Sequence, residues 1–178
     1  MPSPKDKSYT VGEMIAIDDE QRRELIDGVI YDMSAPSSIH QDILGGMYAD
    51  THVFLRGKEC KACISPYAVF VDEKNYFEPD MFVVCDGSKY SERGCEGAPD
   101  WTVEIVSPSS FRTDYWRKLF KYHEIGVREY WIVDPARRIV CVYFWEAEDF
   151  MKEYSFDELI PVRIYDGELK IRIADYGF

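Results

Sequence analysis

Short apolar runs separated by charged or turn-forming residues recur along this chain, and they predict more strands than helices. Tyr67-Ala68-Val69-Phe70-Val71, Met81-Phe82-Val83-Val84-Cys85, Trp101 to Val106 and Glu129 to Asp134, ended by Pro135, each have the length and β-branched or aromatic content of a buried strand. Arg138 to Trp145 follows as a hairpin partner of the last of these. Near the start, Asp27-Gly28 separates the apolar runs Glu24-Leu25-Ile26 and Val29-Ile30-Tyr31, which predicts a hairpin whose two turn residues take positive φ. Helical spacing appears in three places. Thr10-Val11-Gly12-Glu13 predicts a capping box opening a short helix to Ile17. A longer helix is expected from Ser37 or Ser38 through Ile43, Leu44, Met47, Tyr48 and Phe54, with Gly45-Gly46 explained by close packing against the sheet. A third follows the turn Ser107-Pro108-Ser109-Ser110 and stops at Gly126. Residues 1–8 read as a solvated lead-in, Asp86 to Asp100 as a charged loop, Glu146 to Glu158 as an acidic rim, and Asp166-Gly167 as a turn between two short strands. The pattern predicts one α/β domain over residues 1–178: a mixed sheet flanked by helices, with an N-terminal hairpin and a C-terminal β extension.

Composition narrows the function. A formal net charge of -12 argues against tight, nonspecific nucleic-acid binding through a uniformly basic surface. Locally, Arg112, Arg117, Lys118, Lys121 and Arg128 outnumber Asp114 and Glu124, which leaves room for a basic patch on the third helix. No apolar run approaches the ~20 residues of a membrane span, and the N-terminus has no signal-peptide core, so a cytoplasmic protein is expected. Five cysteines, an odd number, then suggest reduced thiols, and Cys60-Lys61-Ala62-Cys63 has no second pair with which to build a zinc site. His40, His52 and His123 stand at no metal-ligand spacing and are assigned no chemistry. Trp116, Phe120, Trp131 and Trp145 are expected in the core.

Two apolar runs each carry a carboxylate where the pattern calls for a hydrophobe or a turn: Asp80 opens one and Glu104 sits inside the other. An ionised carboxylate buried alone in a sheet costs several kcal/mol, so both call for a cation. If the two strands pair, the carboxylates come within reach of one metal, and their hard oxygens suit magnesium or manganese. On the helix that follows, Asp114, Lys118 and Lys121 share one side, beside an apolar stripe of Tyr115, Leu119 and Tyr122. Lys118 lies at the stripe's edge, where its ammonium can aim inward, whereas Lys121 reads as a surface residue and Asp114 as charge compensation at the helix start. Two carboxylates, a divalent metal and a lysine are the parts of phosphodiester hydrolysis.

Glu24-Leu25-Ile26-Asp27-Gly28, Glu78-Pro79-Asp80, Val103-Glu104-Ile105-Val106-Ser107-Pro108-Ser109, the spacing Asp114 to Lys118, and Glu129-Tyr130-Trp131-Ile132-Val133-Asp134-Pro135 together resemble the Uma-two endonuclease family. That family belongs to the PD-(D/E)XK restriction-endonuclease-like superfamily, and the resemblance extends from Thr10 to the end of the chain. It implies a restriction-endonuclease-like core, a magnesium-dependent nuclease acting on DNA, and frequent homodimers. By the same resemblance Asp80 is the first acid and Glu104 the second, with Ile105 beside them in the metal's ligand set. Val106 stands where the superfamily usually has its lysine, and the role passes to Lys118. Glu24 is an accessory carboxylate and Gln41 matches a position early in the first long helix. The alternative implied is a catalytically diverged module of the same fold that binds nucleic acid or a partner protein.

Overall fold

The computed structural model describes residues 7–106 and 111–178. Its elements follow in the order α1 (Val11–Ile15), β1 (Arg23–Ile26), β2 (Val29–Asp32), α2 (Ser38–Phe54), β3 (Lys61–Ile64), β4 (Ala68–Asp72), β5 (Asn75–Phe77), β6 (Met81–Val84), β7 (Gly94–Glu96), β8 (Trp101–Ile105), α3 (Phe111–Ile125), β9 (Glu129–Asp134), β10 (Ile139–Phe144), β11 (Met151–Ser155), β12 (Ile160–Pro161) and β13 (Lys170–Ile171). The turn expected at Ser107-Pro108-Ser109-Ser110 and the side chain of Asp114 lie outside the described residues.

A six-stranded sheet, in the order β11-β10-β9-β8-β6-β3, forms the centre of the molecule. All its pairings are antiparallel except β8 with β9, which run parallel because α3 carries the chain across between them. Its two faces separate by the alternation of side chains along each strand. Met81, Val83, Trp101, Val103, Trp131 and Val133 face α2 and the C-terminal extension, joining Ile43, Leu44, Met47, Phe156 and Ile173. Phe82, Val84, Tyr130, Ile132 and Tyr143 face the other way, against Leu119 and Tyr122 of α3. A second sheet, β2-β1-β5-β4-β7, closes this side through Ile26, Val69 and Phe77. This is the α/β architecture expected, with its N-terminal hairpin and C-terminal β extension.

Local chemistry explains the boundaries. Thr10 and Glu13 form the reciprocal capping box of α1. Asp27 and Gly28 take φ of 51° and 76°, the left-handed pair that a tight hairpin demands. Ser37 caps α2 by accepting from the His40 N–H, and Gly126, at φ 93°, follows α3.

Several expectations change. Asp86 to Asp100 contains β7, and the acidic Glu146 to Glu158 stretch contains β11, an edge strand on which exposed Lys152 and Glu153 discourage further pairing. Gly46 packs not against the sheet but against the Tyr176 ring, which fills the place of a Cβ, while a Cβ on Gly45 would meet open space. Cys60 and Cys85 are joined by a disulfide rather than held as thiols, because β3 and β6 are neighbours whose register sets the two residues side by side. Cys63 points to the opposite face and is buried outside that disulfide, as are Cys95 and Cys141. Trp131 is core, but Trp116 and Phe120 are exposed on the outer face of α3. Among the described residues no helix is long and apolar enough to cross a membrane.

One buried acid of the central sheet sets a pH dependence. Glu129 accepts hydrogen bonds from Trp131 Nε1 at 2.7 Å and from the Ile164 N–H at 2.8 Å, yet burial outweighs both and pushes its carboxyl up to about 7. A carboxyl raised in the folded state contributes stability below its unfolded value, and that contribution is lost as pH rises through about 7. Chemical unfolding at pH 5 and pH 8 should therefore show a loss that Glu129→Gln reduces by on the order of 3 kcal/mol. Equal pH slopes in the two proteins would contradict it.

Candidate active site

Residues from four strands or their ends and two helices converge where β6 begins and β8 finishes. Met81 pairs with Val103, so one step further Asp80 lies opposite Glu104, and by parity both point to the face that α3 covers. Glu104 is buried, and its Oε1 accepts from Lys118 Nζ at 3.0 Å and from the Tyr122 hydroxyl at 2.8 Å. Both donors come from α3, one turn apart, which is why helical spacing put Lys118 on the inner edge of the apolar stripe. Lys118 also reaches Glu24 of β1, with Nζ 2.7 Å from Oε2. Glu24 is held from behind by the Glu78 N–H at 3.0 Å. Glu78 is in turn fixed by Arg22 and by the Tyr76 hydroxyl, at 2.6 and 2.8 Å. The second sheet therefore delivers a carboxylate to the ammonium from the side opposite Glu104.

Asp80 is anchored at both oxygens. Its Oδ2 accepts from the Ile105 N–H at 2.7 Å, and its Oδ1 lies 2.9 Å from His40 Nε2 on the first turn of α2. Ile105 thus meets Asp80 through its backbone at the end of β8. In the sequence His40 stands at no metal-ligand spacing that would mark it. A histidine on the polar first turn of a helix otherwise apolar on that side is the signal that was there, but its partner is forty residues away. Tyr122 was hidden in the apolar stripe for the same reason: only the folded partner shows that its hydroxyl is used. Gln41 is exposed beside His40 and makes no contact with the carboxylates among the described residues.

The charges do not balance locally. Two carboxylates, Glu24 and Glu104, share the Lys118 ammonium, and a third, Asp80, lies opposite Glu104 on the paired strand. Burial pushes the Glu104 carboxyl up to about 8, with Glu24 and Asp80 adding to the rise and Lys118 and the Tyr122 hydrogen bond opposing it. The Tyr122 hydroxyl is itself driven well above its ordinary range by burial and by Glu104. A divalent cation fits this excess. Among the described residues no three His, Cys, Asp or Glu side chains form a ready-made cage, so Asp80 and Glu104 would supply two hard oxygen ligands and water or phosphate the remainder. Magnesium is commonly held this way.

Of the five cations of the expected basic patch, three are paired, Arg117 lies over the Tyr31 ring, and the side chain of Arg112 is outside the described residues. Lys118 is buried with its two glutamates, Lys121 pairs with Asp27 and Glu124 at 2.7 Å each, and Arg128 pairs with Glu146 at 2.6 Å. Val106 is partly buried against the α3 side of the sheet, and the lysine that reaches Glu104 is Lys118 of α3.

Comparison with known proteins bears on the fold and the family. The fold matches a solved structure described as "a putative nuclease belonging to DUF820" from Anabaena variabilis, with a TM-score of 0.78 over 94% of this chain and 96% of that one, at 24% identity. No protein among the curated sequences compared matches the chain. The sequence profile of the Uma2 family, described as "Putative restriction endonuclease", covers residues 11–173, and on that match the chain belongs to the Uma2 family.

Proposed function

We propose that the protein is a magnesium-dependent endonuclease that hydrolyses phosphodiester bonds in DNA. The observation that carries this reading is the Lys118 ammonium held between Glu24 and Glu104, with Asp80 opposite Glu104 on the paired strand. Asp80 and Glu104 would hold the metal, magnesium or manganese. Bound there, the ion polarises the phosphate and lowers the pKa of a bound water. Lys118 has its charge fixed by two carboxylates, and it steadies the attacking water or the charge that develops on the phosphate oxygens. Glu24 orients Lys118, and Tyr122 and His40 orient Glu104 and Asp80. Because the chain is acidic overall and Lys118 and Lys121 of α3 are already paired, DNA is held weakly and its binding weakens further as salt rises.

Supercoiled plasmid with magnesium tests this. Nicking that disappears with chelator, and with Asp80→Asn, is the expected result. Intact plasmid with either metal at low salt would leave the alternative, a diverged module of this fold that binds without cutting. A further outcome concerns His40. His40→Ala should slow nicking about 10–100-fold, the usual effect of removing a group that orients a metal-binding carboxylate, with little change in the thermal midpoint. An unchanged rate would remove His40 from the site.

A further inference from the structure

Between α3 and the end of β10, with the turn that leads to β11, lies an open cleft of about 370 Å³. Phe120 and His123 form one wall, Tyr143 and Trp145 the floor, and Ala147 and Phe150 the other wall. The aromatic floor is built, not incidental: the Trp145 ring stacks on Tyr143 at 6.2 Å between centroids and lies 5.0 Å from His123. Phe120 is 67% exposed and Phe150 51%. The apolar surface continues on both sides, to Trp116, stacked on Phe120 at 6.4 Å, and to exposed Met151. A footprint of this extent, whose described lining is mainly apolar and aromatic, suits a protein segment better than a small polar ligand.

Charge selects among segments. The wall residues Ala147 and Phe150 are interleaved with acids in the run Glu146-Ala147-Glu148-Asp149-Phe150. Glu146 is paired with Arg128 and Asp149 with Arg163, while Glu148 makes no ion pair among the described residues. On the facing helix Lys121 is paired with Asp27 and Glu124. The rim is therefore neutral to negative, a poor surface for a phosphate backbone. A cation with an apolar stem satisfies both the rings and the rim, and tryptophan is the ring that attracts such a cation most strongly.

We propose that this cleft docks an arginine-bearing, basic segment of a partner protein. The aliphatic stem lies between Phe120 and Phe150, the guanidinium stacks over Trp145, and neighbouring basic residues meet Glu148. This inference is independent of the nuclease reading, since none of these residues contacts the carboxylate site.

The test uses a fluorescein-labelled octapeptide of alternating glycine and arginine, titrated against the full chain by anisotropy, beside the same peptide with citrulline in place of arginine. Wild type is expected to bind the arginine peptide, and the citrulline peptide to bind far more weakly. Phe120→Ala and Phe150→Ser should each weaken binding about tenfold, and Glu148→Gln should weaken it and flatten its salt dependence. Both aromatic positions are more than half exposed, so these variants should keep the wild-type thermal midpoint. Undiminished binding to both aromatic variants would mean that net charge alone attracts the peptide and would overturn the proposal. So would equal binding of the citrulline peptide. A wild-type dimer in sedimentation that Phe120→Ala or Phe150→Ser dissolves would assign the cleft to a second copy of the chain instead. Single-stranded oligonucleotide binding that Phe120→Ala abolishes would assign it to nucleic acid.

Discussion

Lys118→Met is expected to cost the protein about 3–5 kcal/mol, the effect of removing one member of a buried ion pair. The loss is of this size because Glu24 would be left buried without its cation and Glu104 without one of its two hydrogen-bond donors. Glu24 and Glu104 are both buried, and Lys118 Nζ lies 2.7 and 3.0 Å from them. In a domain of this length that corresponds to a fall of roughly 6–20 °C in the melting temperature. Methionine keeps most of the stem's volume, so the effect reports charge rather than a cavity. Adding Glu24→Gln to Lys118→Met should return part of the stability, since one uncompensated carboxylate is gone, while leaving DNA cleavage absent. A Lys118→Met protein that melts within a degree or two of wild type would show that the triad is not held together as described. Equal melting of the single and double variants would show that Glu24 is not part of it.

Glu104→Gln should separate stability from chemistry. The carboxamide oxygen can still accept from Tyr122 and Lys118, so the hydrogen bonds survive the change. What disappears is a carboxyl whose protonation burial has pushed up to about 8. The folded value lies above the unfolded one, so this group's favourable contribution is present below about pH 4.5 and is lost as pH rises through about 8. Without added metal, wild-type stability should therefore decline across this window more steeply than that of Glu104→Gln, and the variant should be at least as stable at pH 9. Cleavage should nevertheless fall on the order of a thousandfold, because several kcal/mol of transition-state stabilisation depend on the metal that this carboxylate would hold. A variant that loses cleavage and unfolds at neutral pH would mean that Glu104 supports the fold instead of the chemistry.

The sequence made the local features legible. Thr10 with Glu13, Asp27-Gly28, Ser37 and Gly126 mark their boundaries through short-range hydrogen bonds or backbone preferences, which neighbours in sequence determine. Asp80 and Glu104 were visible for a different reason: each interrupts an apolar strand, and such an interruption needs an explanation wherever the strand goes. Lys118 followed from helical spacing. Nothing comparable marks His40 or Tyr122, whose chemistry exists only once α2 and α3 lie against the ends of β6 and β8. The same holds for the Cys60–Cys85 bond, which depends on the pairing of β3 with β6, and for Gly46, whose neighbour Tyr176 lies near the other end of the chain. β5 and β7 have three residues each, too few for a period to show. Trp116 and Phe120 were expected inside because large aromatics usually are, but the inner face of α3 is already filled by Lys118, Leu119 and Tyr122.

The central claim is that Asp80 and Glu104 jointly hold a divalent metal, and titration calorimetry with magnesium and manganese tests it most directly. Wild type should bind one ion per chain, while Asp80→Asn and Glu104→Gln should each abolish the heat of binding without unfolding the protein. Metal binding that persists unchanged in both variants, or no binding by a folded wild-type protein with either ion, would contradict the account.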